Sequence, residues 1–135
     1  MVPGTLVDSN VLVDLLTEDE EWVDWSATAL EGCAEQGELF INPIIYAEIS
    51  PLFDSIEELD EVLAADYFRR ANLPWEAGFL AGVAFVRYRR AGGARRSPMP
   101  DFYVGAHAAV EGLTLLTRDA KRYRKYFPSV RIVAP

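Results

Sequence analysis

Short apolar runs alternate along the chain with longer stretches whose hydrophobic residues recur at helical spacing. The first run, Thr5-Leu6-Val7, breaks into the polar cluster Asp8-Ser9-Asn10, and hydrophobic residues resume at Val11. Such a run suits a buried strand feeding a turn and a helix. Residues 20–36 read as an amphipathic helix with Trp22, Trp25, Ala29 and Cys33 on one stripe, stopped by Gly37. Residues 38–41 form a second strand. Asn42 caps and Pro43 opens a helix over 44–50 that Pro51 ends. Ser55-Ile56-Glu57-Glu58 is a capping box, and its helix is expected to turn Ile56, Leu59 and Leu63 inward. A short strand lies around Tyr67-Phe68. Pro74 begins a helix over 75–90 with Phe79, Gly82, Val83 and Val86 on one face. Arg87, Arg89 and Arg90 load its C-terminus, where cations suit the helix dipole. After the basic loop 92–97, Pro98-Met99-Pro100-Asp101 starts a helix rich in Gly and Ala that Gly112 ends. A strand at 113–116, a short basic helix at 119–126 and a strand at 130–133 follow. Strands alternating with helices predict an α/β domain whose parallel sheet is covered on both faces.

With 135 residues, half of them hydrophobic, the chain suits one domain with a real core. Cys33 is the only cysteine, so no intrachain disulfide or cysteine-bound zinc is expected, which fits a reducing cytoplasm. Met1-Val2-Pro3-Gly4 shows no basic segment leading into a long apolar one, so no secretory signal is expected. No apolar run is long enough to span a bilayer. The net charge of -8 hides an asymmetry: all 13 basic residues lie at or beyond Arg69, and seventeen of the 21 acids lie before it. The layout reads either as two solvated faces or as one acidic and one basic region with different partners.

Four acids stand out by position. Asp8 and Asp119 follow strands, so both belong at the carboxyl edge of the sheet, where open α/β folds bind ligands. Asp101 starts a helix that precedes a strand, which brings it to the same edge. Glu48 lies four and three residues after Ile44 and Ile45, on their core-facing stripe, where a carboxylate is costly unless a cation meets it. Carboxylates gathered without cations repel, and hard divalent ions with oxygen ligands relieve that repulsion. His107, alone among alanines, reads as a packed helix residue.

Asp8-Ser9-Asn10-Val11-Leu12, Tyr46-Ala47-Glu48, Pro100-Asp101 and Leu115-Leu116-Thr117-Arg118-Asp119, followed by Tyr123 and Tyr126-Phe127-Pro128, resemble in order a PIN domain. Within that family the pattern is similar to the VapC-type toxins of bacterial toxin–antitoxin pairs. The resemblance covers nearly the whole chain and implies one PIN domain over 1–135, a three-layer α/β/α sandwich around a mainly parallel sheet. It implies a Mg²⁺- or Mn²⁺-dependent ribonuclease that leaves a 5′-phosphate and a 3′-hydroxyl. The family's four acids map onto Asp8, Glu48, Asp101 and Asp119, with Asp8, Asp101 and Asp119 as metal ligands and Glu48 as ligand or water-positioning group. Its hydroxyl near the last acid maps onto Thr117. Ser9 stands where Thr is frequent, so the hydroxyl is kept. Asn10 and Thr117 are placed to hydrogen-bond the carboxylates or their water. Arg95, Arg96, Lys121, Arg122, Arg124 and Lys125 are candidates for holding RNA phosphates.

Three other readings compete. A phosphatase of haloacid-dehalogenase type needs a second Asp where this chain has Asn10, and a Lys between the first and last acids, where none exists. A receiver-like domain wants an extra acidic pair after the first strand and a late strand-end Lys. A non-catalytic PIN scaffold would not need all four acids. The resemblance also implies a homodimer and a cognate VapB-type antitoxin. A basic, amphipathic antitoxin segment would suit the acidic half, where Trp22, Val23 and Trp25 span more than one helical stripe.

Overall fold

In the computed structural model, residues 4–135 are described; residues 1–3, most of the segment read for a secretory signal, lie outside them. Five strands, β1 (Thr5–Val7), β2 (Leu39–Ile41), β3 (Phe68–Arg70), β4 (Thr114–Leu116) and β5 (Ile132–Val133), form one sheet in the order β3-β2-β1-β4-β5. Every neighbouring pair is parallel, so the sheet is wholly rather than mainly parallel. The helices are α1 (Ser9–Leu16), α2 (Val23–Gln36), α3 (Pro43–Ile49), α4 (Ile56–Val62), α5 (Trp75–Arg90), α6 (Pro100–Glu111) and α7 (Lys121–Tyr126). They cover both sides of the sheet. The chain steps outward from β1 to β2 and β3, then returns to place β4 on the other side of β1. The crevice at the carboxyl ends of β1 and β4 is therefore the topological switch point.

Local chemistry sets the element ends. The Asp19 carboxylate accepts from the backbone N–H groups of Glu21 and Trp22, holding a turn there, so α2 begins at Val23 rather than at residue 20. Asn42 caps α3 by accepting from Ile45 N, and Ser55 caps α4 by accepting from Glu58 N. Gly112 ends α6 with φ 66°, a conformation that suits glycine, and turns the chain into β4. Gly105 of α6 faces the Phe127 ring, which an added Cβ would strike. That close approach seats the end of α7 against α6. Among the described residues no helix is long and apolar enough to cross a membrane.

Three expectations about facing are corrected. Leu59 and Leu63 are buried, but Ile56 is 62% exposed: it opens α4 at the rim of a recess that no further element covers. On α5 the buried positions are Ala77, Ala81 and Ala84. They pack against α6, whose own glycine and alanines let the two helices approach closely. The large residues Phe79, Val83 and Val86 are left on the solvent side, with Trp75 at 93% exposure. Trp22 and Trp25 are half-buried, edge to face at 6.3 Å, with Trp25 packed on the core; the fully bare aromatics are on α5 instead.

Candidate metal centre and nucleic-acid cleft

Asp8 is delivered by β1 and sits beside Thr117, the residue after β4, because Asp8 N continues the ladder by donating to Leu116 O. It is 4% exposed. Its Oδ1 accepts from Ser9 N (2.8 Å), which makes it the cap of α1; its Oδ2 accepts from Thr117 Oγ1 and from the Tyr123 hydroxyl, both at 2.9 Å. Three donors leave about one lone-pair site on Oδ1. Burial pushes the Asp8 carboxyl up, against the lowering effect of Tyr123 and Thr117, and Asp101 adds repulsion.

The Tyr123 hydroxyl also lies 3.5 Å from Asp101 Oδ1, so one phenol stands between two of the acids. Burial raises the Tyr123 pKa, and the charges of Asp8, Asp101 and Glu48 raise it further, so the phenol keeps its proton and remains a donor. Asp101 begins α6 behind Pro100, yet makes no side-chain cap. Its Oδ2 instead accepts from Arg122 Nη1 at 3.0 Å. Glu48 is not inside the core: Ile45 and Ile49 take the buried positions of α3, and Glu48 stands at the rim with Oε1 accepting from Ser9 Oγ at 2.9 Å. Its carboxyl is raised, chiefly by desolvation and then by Asp8 and Asp101. Asp119 is exposed beyond β4; its backbone N–H donates to Thr117 Oγ1.

Thr117 and Asn10 are linked to Asp8 by a chain of hydrogen bonds. The fully buried Thr117 hydroxyl donates to Asp8 and accepts from Asn10 Nδ2 at 3.2 Å, while Asn10 Oδ1 accepts from Arg118 N. A cleft of about 320 Å³ opens beside the acids, lined by Asp101, Asp119, Lys121, Arg122, Lys125, Tyr88 and Tyr126. Lys121 and Arg122 thus line the same cleft as Asp101 and Asp119, and Arg122 is paired with Asp101. Arg95 and Arg96 do not line the cleft: their exposed loop is fastened to α5, where Arg89 donates to the carbonyls of Gly93 and Arg95.

Two contributors do not stand out in the chain by themselves. Tyr123 stands out only as part of the family pattern. Asp14, 1% exposed, accepts from Ser26 Oγ and from Arg118 Nε and Nη2 at 2.8 and 3.1 Å. Arg118 also lies over the Trp22 ring at 5.2 Å. An acid inside the apolar run Val11-Leu12-Val13-Asp14-Leu15 was the available signal.

The donors fit a hard divalent cation in kind: carboxylate oxygens, no sulfur, and a buried Asp8 that no protein cation meets. As the side chains stand, no three acids among the described residues are gathered closely enough to hold an ion. Asp101 is engaged by Arg122 instead.

The PIN domain model matches residues 5–128. The chain belongs to the PIN-domain family. This PIN domain is similar in fold to a chain of VapBC2 from Rickettsia felis, solved bound to a promoter DNA fragment, at 20% identity and TM-score 0.72 over 96% of this chain and 97% of that one. It is similar to a chain of DNA-bound VapBC from Salmonella typhimurium at 18% identity and TM-score 0.70 over 98% of both chains. A toxin–antitoxin complex from Klebsiella pneumoniae matches at 22% identity and TM-score 0.70 over 96% of both. No curated protein matches the sequence.

Proposed function

We propose that the chain, acting as one PIN domain over 1–135, is a metal-dependent endoribonuclease and the toxin of a VapBC-type pair. The observation that carries this reading is the convergence of Asp8, Asp101 and Glu48 around Ser9 and the Tyr123 hydroxyl at the sheet's switch point, beside a basic cleft. When bound, Mg²⁺ or Mn²⁺ would supply Lewis acidity and an activated water. Asp8, Asp101 and Asp119 are the groups to hold it. Thr117 and Tyr123 fix the Asp8 carboxylate, and Asn10 fixes Thr117. Glu48 is the ligand or the group that positions the attacking water. Lys121 and Lys125 hold the RNA backbone in the cleft. Water attacks phosphorus in line, the bond to O3′ breaks, and a 5′-phosphate and a 3′-hydroxyl remain. The test is cleavage of RNA by purified protein with Mg²⁺ or Mn²⁺, abolished by chelator and by Asp8→Asn. Retained binding to a toxin partner with no cleavage under any metal would favour the non-catalytic scaffold.

The similar solved chains come from VapBC and toxin–antitoxin complexes, which supports a VapB-type partner. The recess lined by Tyr46, Ser50, Phe53, Asp54, Ser55, Ile56 and Leu59 suits an apolar, basic antitoxin segment better than the half-buried Trp25 does. The outward face of α5 suits a second copy: Trp75 and Phe79 are the knobs, Gly78 and Gly82 have open space around them, and Glu76 lies at one end with Arg87 and Arg90 at the other. Antiparallel pairing about a twofold axis would set each Glu76 near the other copy's arginines.

A further inference from the structure

We propose that Arg122 is an exchangeable counterion: it neutralises Asp101 while the site is unloaded, and transfers to the RNA phosphate when a divalent cation takes Asp101. The inference rests on the metal-dependent ribonuclease reading. Arg122 is the one cation, among the described residues, that is paired with any of the four candidate acids. Its Nη1 stands 3.0 Å from Asp101 Oδ2, and both side chains are 39% exposed. The pair therefore sits at the mouth of the site, accessible to competitors from solvent. The next residue, Tyr123, is anchored at the bottom of the same site by its bond to Asp8. Helix α7 thus brings a fixed donor and a releasable cation to the carboxylates together.

Two consequences follow from the chemistry. A guanidinium stays charged throughout the working pH range, so acid or base in that range does not open this pair. Only a cation competing for Asp101 or an anion competing for Arg122 does. The anion is at hand, because Arg122 lines the basic cleft with Lys121 and Lys125. A phosphodiester that draws Arg122 away frees Asp101 for the cation, and a cation on Asp101 frees Arg122 for the phosphodiester. By linkage the two ligands favour one another through this residue.

The test reads metal binding without nucleic acid. Free Mn²⁺ is followed by electron paramagnetic resonance during titration of the wild-type chain, Arg122→Met and Lys125→Met. Loss of a half-exposed competing pair should tighten Mn²⁺ binding by about two- to fivefold in Arg122→Met. Lys125→Met removes the same charge from the same cleft without touching Asp101, and should give less than half that gain. Equal gains in the two variants, or no gain in Arg122→Met, overturn the counterion while leaving the metal site standing. No Mn²⁺ binding by any of the three overturns the metal-dependent reading as well. As a second measurement, side-chain ¹⁵N spectra of arginine-labelled wild type should show the Arg122 guanidinium passing from restricted to free rotation as Mg²⁺ is added. An Arg122 signal unmoved at saturating Mg²⁺ also overturns the proposal.

Discussion

Asp8 is a buried carboxylate with three hydrogen-bond donors and no paired cation, and its carboxyl is pushed above the ordinary aspartate range by burial. A group raised in this way takes up a proton on folding. Its stabilising contribution is complete below the unfolded-state value, about pH 4, and is lost as pH rises through the raised value. Glu48, raised by desolvation as well, acts with the same sign. Metal-free protein should therefore lose thermal stability as pH rises from about 4 toward neutrality. Asp8→Asn should flatten that slope, raise the melting temperature at pH 7 by a few degrees, and abolish any gain from Mn²⁺. Melting curves from pH 4 to 8 with chelator or Mn²⁺ check this; an unchanged slope would show that Asp8 is not the strained acid. The placements of Asp8, Asp101, Thr117 and Asp119 were legible because each follows a strand or opens a helix, which local pattern reveals. The partnerships of Tyr123 with Asp8 and of Arg122 with Asp101 were not, because they need α7 folded back over the start of α6. That packing depends on Gly105 meeting Phe127, twenty-two residues away in the chain.

At the scale of elements, one arginine joins three of them. Arg118 leaves β4, pairs in bidentate fashion with Asp14 of α1, and covers Trp22 at the start of α2. Asp14 is nearly inaccessible, so removing its partner leaves a buried charge uncompensated. Arg118→Met should destabilise the fold by about 3 kcal/mol in urea unfolding. The double variant Arg118→Met with Asp14→Leu should recover most of that loss, since a well-packed apolar pair often matches a buried ion pair. A loss under 1 kcal/mol in the single variant would mean that water reaches Asp14. Helix α5 shows where hydrophobic pattern misleads. Both of its faces are apolar, and the larger side chains look like the core stripe. The structure buries the alanines instead, because close contact with small-residue α6 wins over side-chain size. Strand positions were legible to within two residues because each run is short, apolar and bounded by turn chemistry.

The whole molecule carries an exposed apolar ridge along α5, with Phe79 at 78% exposure and Trp75 barer still. Isolated exposed hydrophobics are ordinary, but a continuous stripe points to a partner. Sedimentation should show a dimer at micromolar concentration, and Phe79→Asp should shift it to monomer. Because Phe79 contributes little to the core of one copy, the folded monomer should keep its secondary structure. A wild-type monomer at tens of micromolar would remove α5 as the dimer face.

The three tryptophans occupy three different surroundings, and that gives the protein its own optical record. Trp75 stands in water, so its emission should lie far to the red until another surface covers it. Trp22 lies under the Arg118 guanidinium, one residue from Asp119, so its intensity should follow motions of the loop that carries that acid. Trp25 leans on the core beside Trp22 and should change most when the fold itself is lost. A single ultraviolet excitation would thus separate assembly, loading and unfolding by colour and brightness, with no label attached.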